Sequence, residues 1–391
     1  MTVKRTIGVV IYANPDHYPP VINAVRLLAK EFKVLVICRN QDEPREEYPA
    51  SATIARLGRR LTVRQKEEQN PFAKIAEFAW FVVCGIRLMQ RAGCTVVYAY
   101  DMHGFCAGFI AARFFRKKPF IYHNLELTEE KNIKGLGSLI KRFEIAYVRH
   151  ADKIIFPDAD RARYFLQKVV VGKEPLIVMN TPLSIERLGP NKARDIAAAG
   201  GFGPDVKLVM YQGAISDGHA LLEVVRSMEA WPQASALVLS GYAFEDFMGI
   251  LNNEIKSRGF EKRVIRLPFM PYQHLFSYTA AACLGLALFK PRDINQRLVA
   301  GASNKIFEYL SLGVPVLTND EPSFRAILDP SFAYFASPDS PQEIARAVTE
   351  AIDDTRGQRQ KAPAARQAHL ARFNYEEQFK PVLEYLRSLP W

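Results

Sequence analysis

The chain has 391 residues, 49% of them hydrophobic and 24% charged, with a formal net charge of +11 at pH 7. That length exceeds what one compact core supports, so two domains are expected, and no apolar run reaches the roughly 18 residues of a membrane span. The five cysteines form no C-x-x-C pair, which excludes a zinc motif or disulfide frame of the usual spacing and fits buried thiols in a reducing compartment.

The charge is uneven. Residues 1–190 carry 30 Lys and Arg against 19 Asp and Glu, and the remainder carries 22 of each. A basic N-terminal half favours an anionic partner such as a membrane surface. No nucleic-acid motif and no basic stripe interleaved with stacking aromatics is present, so nucleic acid is not expected.

Short apolar runs alternate with helical periodicity along the chain. Residues 6–13 read as a strand, and this opening run is too short for a signal peptide. A helix over 20–32 and a strand over 33–38 follow. Residues 39–70 are polar, with a short strand near 53–57. Pro71 opens a long helix over 71–92 from its first turn. Then come a strand at 94–100, a helix at 104–115, a strand at 119–122, a helix at 137–151, a strand at 153–156 and a helix at 159–167. After a strand at 175–179, Asn180-Thr181-Pro182 breaks the pattern, and 189–205, rich in Gly, Pro and Ala, reads as the linker. The alternation restarts with strands at 207–212, 236–240, 264–267, 284–289 and 315–318. Helices at 220–230, 244–258, 272–281, 303–312 and 341–353 lie between and after them, and a last helical segment covers 363–389. This order predicts an α/β fold of two Rossmann-like, doubly wound domains with parallel sheets. Their predicted extents are 1–185, joined by 375–391, and 190–374.

The most informative stretch is Ser303-Asn304-Lys305-Ile306-Phe307-Glu308-Tyr309-Leu310-Ser311-Leu312-Gly313-Val314-Pro315-Val316. It reads as a helix start, one amphipathic helix, a glycine stop and a buried strand. Ser303 or Asn304 can cap the helix. Lys305 puts a cation in a first turn whose backbone N–H groups already favour an anion, and Glu308 follows one turn on, on a similar face. A lysine and a carboxylate so placed suit a ligand with one anionic end and one hydroxylated end.

These fourteen positions resemble the donor-site helix of GT-B glycosyltransferases, especially those like family 4. The resemblance implies two Rossmann-like domains facing across a cleft, with the donor on the C-terminal one. It also implies a last helix that crosses back to the N-terminal domain, and residues 373–379 are similar to that crossover. It implies a nucleotide-diphosphate sugar as donor, retention of anomeric configuration, no metal and no cofactor. Lys305 would meet the phosphates, Glu308 the ribose, and the amides of Ser303 and Asn304 the phosphate or sugar.

The chain departs from the family in three donor-side positions. Gly213 keeps the close backbone approach to a phosphate. Ala214, however, stands where the family has an Arg, and His219 or Gly218 where it has a Lys. Lys290, Arg292 and Arg297 are candidate replacements. The first Glu of the family pair falls on Ala300, so the backbone of 301–304 is expected to share in sugar recognition. Phe269 and Met270, at a C-terminal strand edge, are placed near the nucleobase.

The acceptor and any base are expected on the N-terminal domain, whose strand ends present Asn14, His17, Asp101, His103, His123 and Glu126. Glu126 matches the family Glu. Leu125 occupies the family His position, and His123 stands two residues earlier. His123, as an imidazole titrating near neutrality, and Asp101 are the candidate catalytic groups beside Lys305. The helix over 71–92 is apolar around much of its circumference and follows Arg56, Arg59, Arg60, Arg64 and Lys66. It reads either as a packed core helix or as one resting on a membrane; Arg116-Lys117-Lys118 adds a second basic patch.

The expected protein is a cytoplasmic GT-B glycosyltransferase, peripheral on the inner face of the membrane. It would move a sugar to a lipid-linked saccharide or a growing surface polysaccharide. The alternatives are a non-catalytic nucleotide-binding partner subunit, a sugar-nucleotide epimerase, and a membrane-association protein that binds no nucleotide.

Overall fold

The computed structural model describes residues 5–41, 45–61, 69–114, 117–184, 192–268, 270, 272–353 and 355–390. The chain divides into two compact units, Met1–Asn180 with Gln378–Trp391, and Thr181–Glu377.

The first unit is built on seven strands: β1 (Thr6–Ile11), β2 (Lys33–Gln41), β3 (Ala52–Leu61), β4 (Cys94–Tyr100), β5 (Phe120–His123), β6 (Lys153–Phe156) and β7 (Leu176–Ile177). All pair in parallel, in the order β3-β2-β1-β4-β5-β6-β7. Its helices are α1 (Pro19–Glu31), α2 (Pro71–Arg91), α3 (Asp101–Phe114), α4 (Leu136–Tyr147) and α5 (Ala159–Leu166). Ile7, Val9, Val10 and Ile11 are all buried, as a near-continuous apolar run must be when helices cover both faces of a parallel sheet. Val21, Ala24, Val25 and Leu28 form the buried stripe of α1.

The second unit carries α6 (Ala193–Ala199), β8 (Lys207–Gln212), α7 (Leu221–Ser227), β9 (Ser235–Ser240), α8 (Glu245–Ser257), β10 (Val264–Arg266), α9 (Tyr272–Thr279) and β11 (Leu284–Ala287). It continues through α10 (Ile294–Arg297), α11 (Asn304–Ser311), β12 (Val316–Asn319), α12 (Pro322–Arg325), β13 (Ala333–Ala336), α13 (Pro341–Asp353) and α14 (Thr355–Ala371), and α15 (Tyr375–Ser388) ends the chain. The six strands are parallel in the order β10-β9-β8-β11-β12-β13. Trp231, Leu251, Leu286 and Val348 sit in one buried cluster against this sheet.

Strand order reverses between β1 and β4 and again between β8 and β11. At such switch points the loops leaving two neighbouring strands diverge and open a crevice at the carboxyl edge of the sheet. Each unit therefore offers one such edge.

Three local readings change. β3 runs through Leu61 as a full edge strand beside β2, longer than the stretch near 53–57, because its pairing with β2 overrides its polar composition. Helix α6 occupies part of the segment read as linker, and 185–191 lie outside the described residues. The units part at 180/181 and 377/378, against the expected 185 and 375. Pro182 O accepts the Tyr375 amide at 2.9 Å, and the Glu376 carboxylate accepts the Ser184 amide at 3.0 Å. Those bonds tie 182–184 to the start of α15. The rest of α15 joins the first unit, where Phe379 lies 6.3 Å from the Tyr98 ring and Arg387 donates to Glu31 at 2.9 Å.

Gly241, after β9, has φ +140°, and a Cβ there would lie 1.9 Å from Gly213 O. A Gly241→Ala variant is expected to lose about 3 kcal/mol or more of stability from backbone strain and overpacking together, read by urea unfolding.

Candidate functional site

The crevice of the second unit is assembled from the loops after β8 and β11 and the start of α11. Tyr211 and Gln212 end β8 with both side chains buried. Gly213 follows at φ +121°, and a Cβ there would meet Lys305 Nζ at 3.2 Å. Glycine is thus what lets the lysine cross the loop. The Lys305 ammonium donates to the Tyr211 hydroxyl at 3.2 Å, 4.3 Å from the centre of that ring and 5.3 Å from the Phe289 ring. Asn319, at the end of β12, fixes Phe289 through both backbone groups, at 2.9 and 2.8 Å. Two aromatic faces stabilise a cation electrostatically without neutralising it.

Ser303 occupies the cap position of α11, yet its hydroxyl makes no capping bond. Its Oγ is buried and has no hydrogen-bond partner, although cap serines normally satisfy a free helix N–H. His219, in the turn Asp217–His219, brings a second unpartnered buried polar atom, Nδ1, with its ring 5.8 Å from Tyr211 and 5.6 Å from Phe289. Buried polar atoms are costly when unpaired. Two of them beside a cation and a helix N-terminus describe a site shaped for an anion.

Burial pushes Lys305 down to about 7, against the opposing pull of Glu308. Burial also holds His219 far below its ordinary range, and the Lys305 charge adds to the depression. Glu308 is 5% exposed and accepts a hydrogen bond from Gln212 Nε2, while the Thr279 hydroxyl donates to Gln212 Oε1 at 2.6 Å. The carboxylate is therefore oriented from behind by a buried relay.

In the first unit the carboxyl edge beside β1 and β4 presents Asp101. It opens α3 at φ +53°, a left-handed conformation uncommon for a side-chain-bearing residue and typical of strained functional positions. Its Oδ1 accepts the amides of Leu125 at 2.8 Å and Glu126 at 3.2 Å. Burial and the neighbouring Glu126 charge raise it to about 7, outweighing those two bonds.

A family model described as Glycosyl transferase-like matches residues 221–384. None of the curated proteins matches the chain by sequence. Among solved structures the chain is similar to HepE of Anabaena in complex with UDP and glucose, at 16% identity over 98% of this chain and 100% of that one, with a TM-score of 0.71. It is similar to the sucrose-phosphate synthase of Thermosynechococcus elongatus at 17% identity, 98% of each chain and a TM-score of 0.75. A third similar structure is an alpha,alpha-trehalose-phosphate synthase (UDP-forming) from Burkholderia vietnamiensis, at 14% identity over 98% of this chain and 100% of that one, with a TM-score of 0.67. The fold is GT-B.

On this GT-B frame the residues singled out from sequence fall into three groups. Gly213, His219, Ser303, Asn304, Lys305 and Glu308 come together at the crevice of the second unit. Arg297 is exposed nearby in α10, whereas Lys290 is engaged by Glu223 at 2.7 Å and Asp339 at 3.0 Å, and Arg292 by Asp217 at 3.2 Å. Those two cations hold the loop after β11 in place. Met270 is half-buried, and Phe269 lies outside the described residues.

In the first unit, His123 departs from the expected accessible imidazole. It has no exposure, its Nδ1 lies 2.8 Å from the Tyr98 hydroxyl, and burial lowers it to about 3. It is neutral at any physiological pH and does not titrate near neutrality. Asn14 is buried, and its side-chain oxygen accepts the Asp16 amide at 3.2 Å. His103 is half-buried and stacks on Tyr12 at 5.4 Å, while His17 and Glu126 are exposed. Arg56 pairs with the buried Asp16 at 2.6 Å and so braces the interior. Arg64, Lys66 and Arg116 lie outside the described residues.

Sequence reasoning missed Tyr211, Gln212, Thr279 and Phe289. Tyr211, Gln212 and Phe289 sit at or just beyond strand ends, and that position was the available signal.

Lys305 carries a folded-state value of about 7, below its ordinary 10.5. The unfolded chain binds the extra proton across that window, so this residue's contribution to stability rises with pH from about 7 toward 10.5. A Lys305→Met variant is expected to melt above wild type at pH 6 to 7, with the gap narrowing toward pH 10 by calorimetry. A constant gap across that range would refute the assignment.

Proposed function

We propose that the chain is a glycosyltransferase, similar to family 4, that transfers a hexosyl unit from a uridine-diphosphate sugar to a saccharide carried on a lipid or on a growing surface polysaccharide. The observation that carries this is the N-terminal end of α11, where the Ser303 hydroxyl stands unpartnered at the cap position and the Lys305 ammonium reaches the loop at Gly213. In sugar transfer the diphosphate departs as negative charge develops on it, and donors already fixed in place stabilise that charge without reorganising. Lys305, His219 Nδ1 and the Ser303 hydroxyl are the donors for it. Arg297 is a further cation for the outer phosphate.

Glu308, aimed by Gln212 and Thr279, accepts the ribose hydroxyls. Phe269 and Met270 are assigned to the base. Uridine is favoured because HepE, of the same fold, was solved with UDP and with UDP-glucose. Asp101, strained and half-ionised near pH 7, is the group of the first unit best suited to take a proton from an acceptor hydroxyl. Retention of configuration, independence of metal ions and a cytoplasmic location rest on the likeness of the α11 motif to family 4, and belong to the same reading.

A thermal-shift panel of UDP, GDP and ADP sugars tests the donor site. UDP-sugars are expected to raise the melting temperature of wild type, and Lys305→Ala is expected to abolish the shift. Ser303→Ala is expected to weaken binding about tenfold, the scale of a lost hydrogen bond to a charged group. Stabilisation by no nucleotide would refute the reading.

Asp101→Asn is expected to keep the thermal shift and lower turnover about a hundredfold or more. Binding without turnover in wild type would point to a partner subunit. Conversion of the donor alone would point to an epimerase.

A further inference from the structure

The outer surface of the first unit holds a feature that sugar transfer does not use. α2 and α4 lie side by side, since Phe78 and Val82 of one and Leu136, Ile140 and Phe143 of the other share a single apolar cluster with Met102 and Cys106 of α3. With those positions turned inward, the opposite faces meet solvent. On α2 that face carries Phe72, 82% exposed, Trp80, 48% exposed, and Val83, with Arg87 and Arg91 toward its end. On α4 it carries Leu139, 61% exposed, then Arg142, with Arg149 just beyond.

Neither face shows an acid. The one carboxylate in the sequence of α2, Glu77, receives the guanidinium of buried Arg39 and the amide of Gln69. The one in α4, Glu144, is buried against Lys141 at 2.6 Å and the Tyr122 hydroxyl. The sequence left two readings of 71–92 open, a core helix or a surface-lying one. The structure gives it both faces, one in the core and one in solvent.

We propose that the outward faces of α2 and α4 form one surface that docks on an anionic lipid bilayer. Large exposed aromatic and aliphatic side chains have a natural seat at the headgroup boundary, and arginines on the same faces pair with anionic headgroups. Among the described residues no helix is long and apolar enough to cross a membrane, so the helices lie flat on the surface. A second copy of the chain is a poor occupant, because a two-fold contact would set one face bearing Arg87, Arg91, Arg142 and Arg149, and no acid, against an identical face. The surplus of positive charge in residues 1–190 has the matching sign for anionic lipid at longer range.

The test is sedimentation of the full chain with phosphatidylcholine vesicles, with and without about one-third phosphatidylglycerol. Binding is expected to the anionic vesicles only, falling with salt, with a blue shift of tryptophan emission. Among the described residues Trp80 is the exposed tryptophan and Trp231 is buried; Trp391 lies outside them, so the shift is read in a Trp391→Phe background. The pair Arg87→Glu and Arg142→Glu, and separately Trp80→Ser, are expected to lower the bound fraction about tenfold or more. Lys262→Glu, on the second unit, is expected to bind as wild type.

The UDP-sugar thermal shift, run on every variant, reports folding and donor binding independently. Failure of that shift would not touch the docking surface, and failure of docking would not touch the transferase reading. Equal binding to neutral vesicles, no binding to anionic ones, or full binding by the variants would overturn the proposal. So would a concentration-dependent dimer that Trp80→Ser abolishes.

Discussion

A lysine ammonium drawn out of water and set over two aromatic rings is unfavourable unless something fixes the rings and clears its path. In this protein several independent devices do so. Gly213 gives up its side chain so that Lys305 can pass. Gly241 gives up its own so that the Gly213 loop can fold down. Asn319 clamps the backbone that carries Phe289. Tyr211, at the end of a central strand, supplies both a ring face and a hydroxyl. The neighbouring acid, Glu308, is held apart by Gln212 and only partly offsets the loss of solvation. Each device costs stability or sequence freedom where it stands, the usual sign of a position kept for function.

The two units use one architectural solution with opposite electrical sense. Each is a parallel sheet whose strand order reverses once, and each puts its unusual chemistry at the carboxyl edge beside that reversal. In the second unit the edge gathers a helix N-terminus, a cation and unpartnered polar atoms. In the first unit it carries an acid whose ionisation is brought near neutrality by burial and a like charge. Asn124, Tyr122, Glu144 and Lys141, the first two at the end of β5, form a buried set linked by hydrogen bonds. It gives the region a rigid polar interior.

Much of this was legible in the sequence. The parallel α/β character followed from the alternation of apolar runs with helical periodicity, and the position of α11 from one contiguous motif. Lys305, Ser303 and Gly213 could be named because helix starts and strand-end glycines have local signatures. Gln212 and Thr279 could not, since their relation to Glu308 links residues 67 to 96 positions apart and appears only after the sheet has formed. His123 misled for a related reason. A histidine at a strand end reads as accessible, and nothing local reveals that Tyr98 and Tyr100 pack against it. The length of β3 was hidden by its charged side chains, which an edge strand can turn to solvent.

Helix α15 starts in the second unit and ends in the first. As the polypeptide leaves the ribosome, the first 180 residues emerge without Phe379 to pack on Tyr98 or Arg387 to meet Glu31. The early half must wait, incompletely covered, while nearly two hundred further residues are made. Anything that stalls or truncates synthesis late in the message therefore injures the part of the molecule that was translated first.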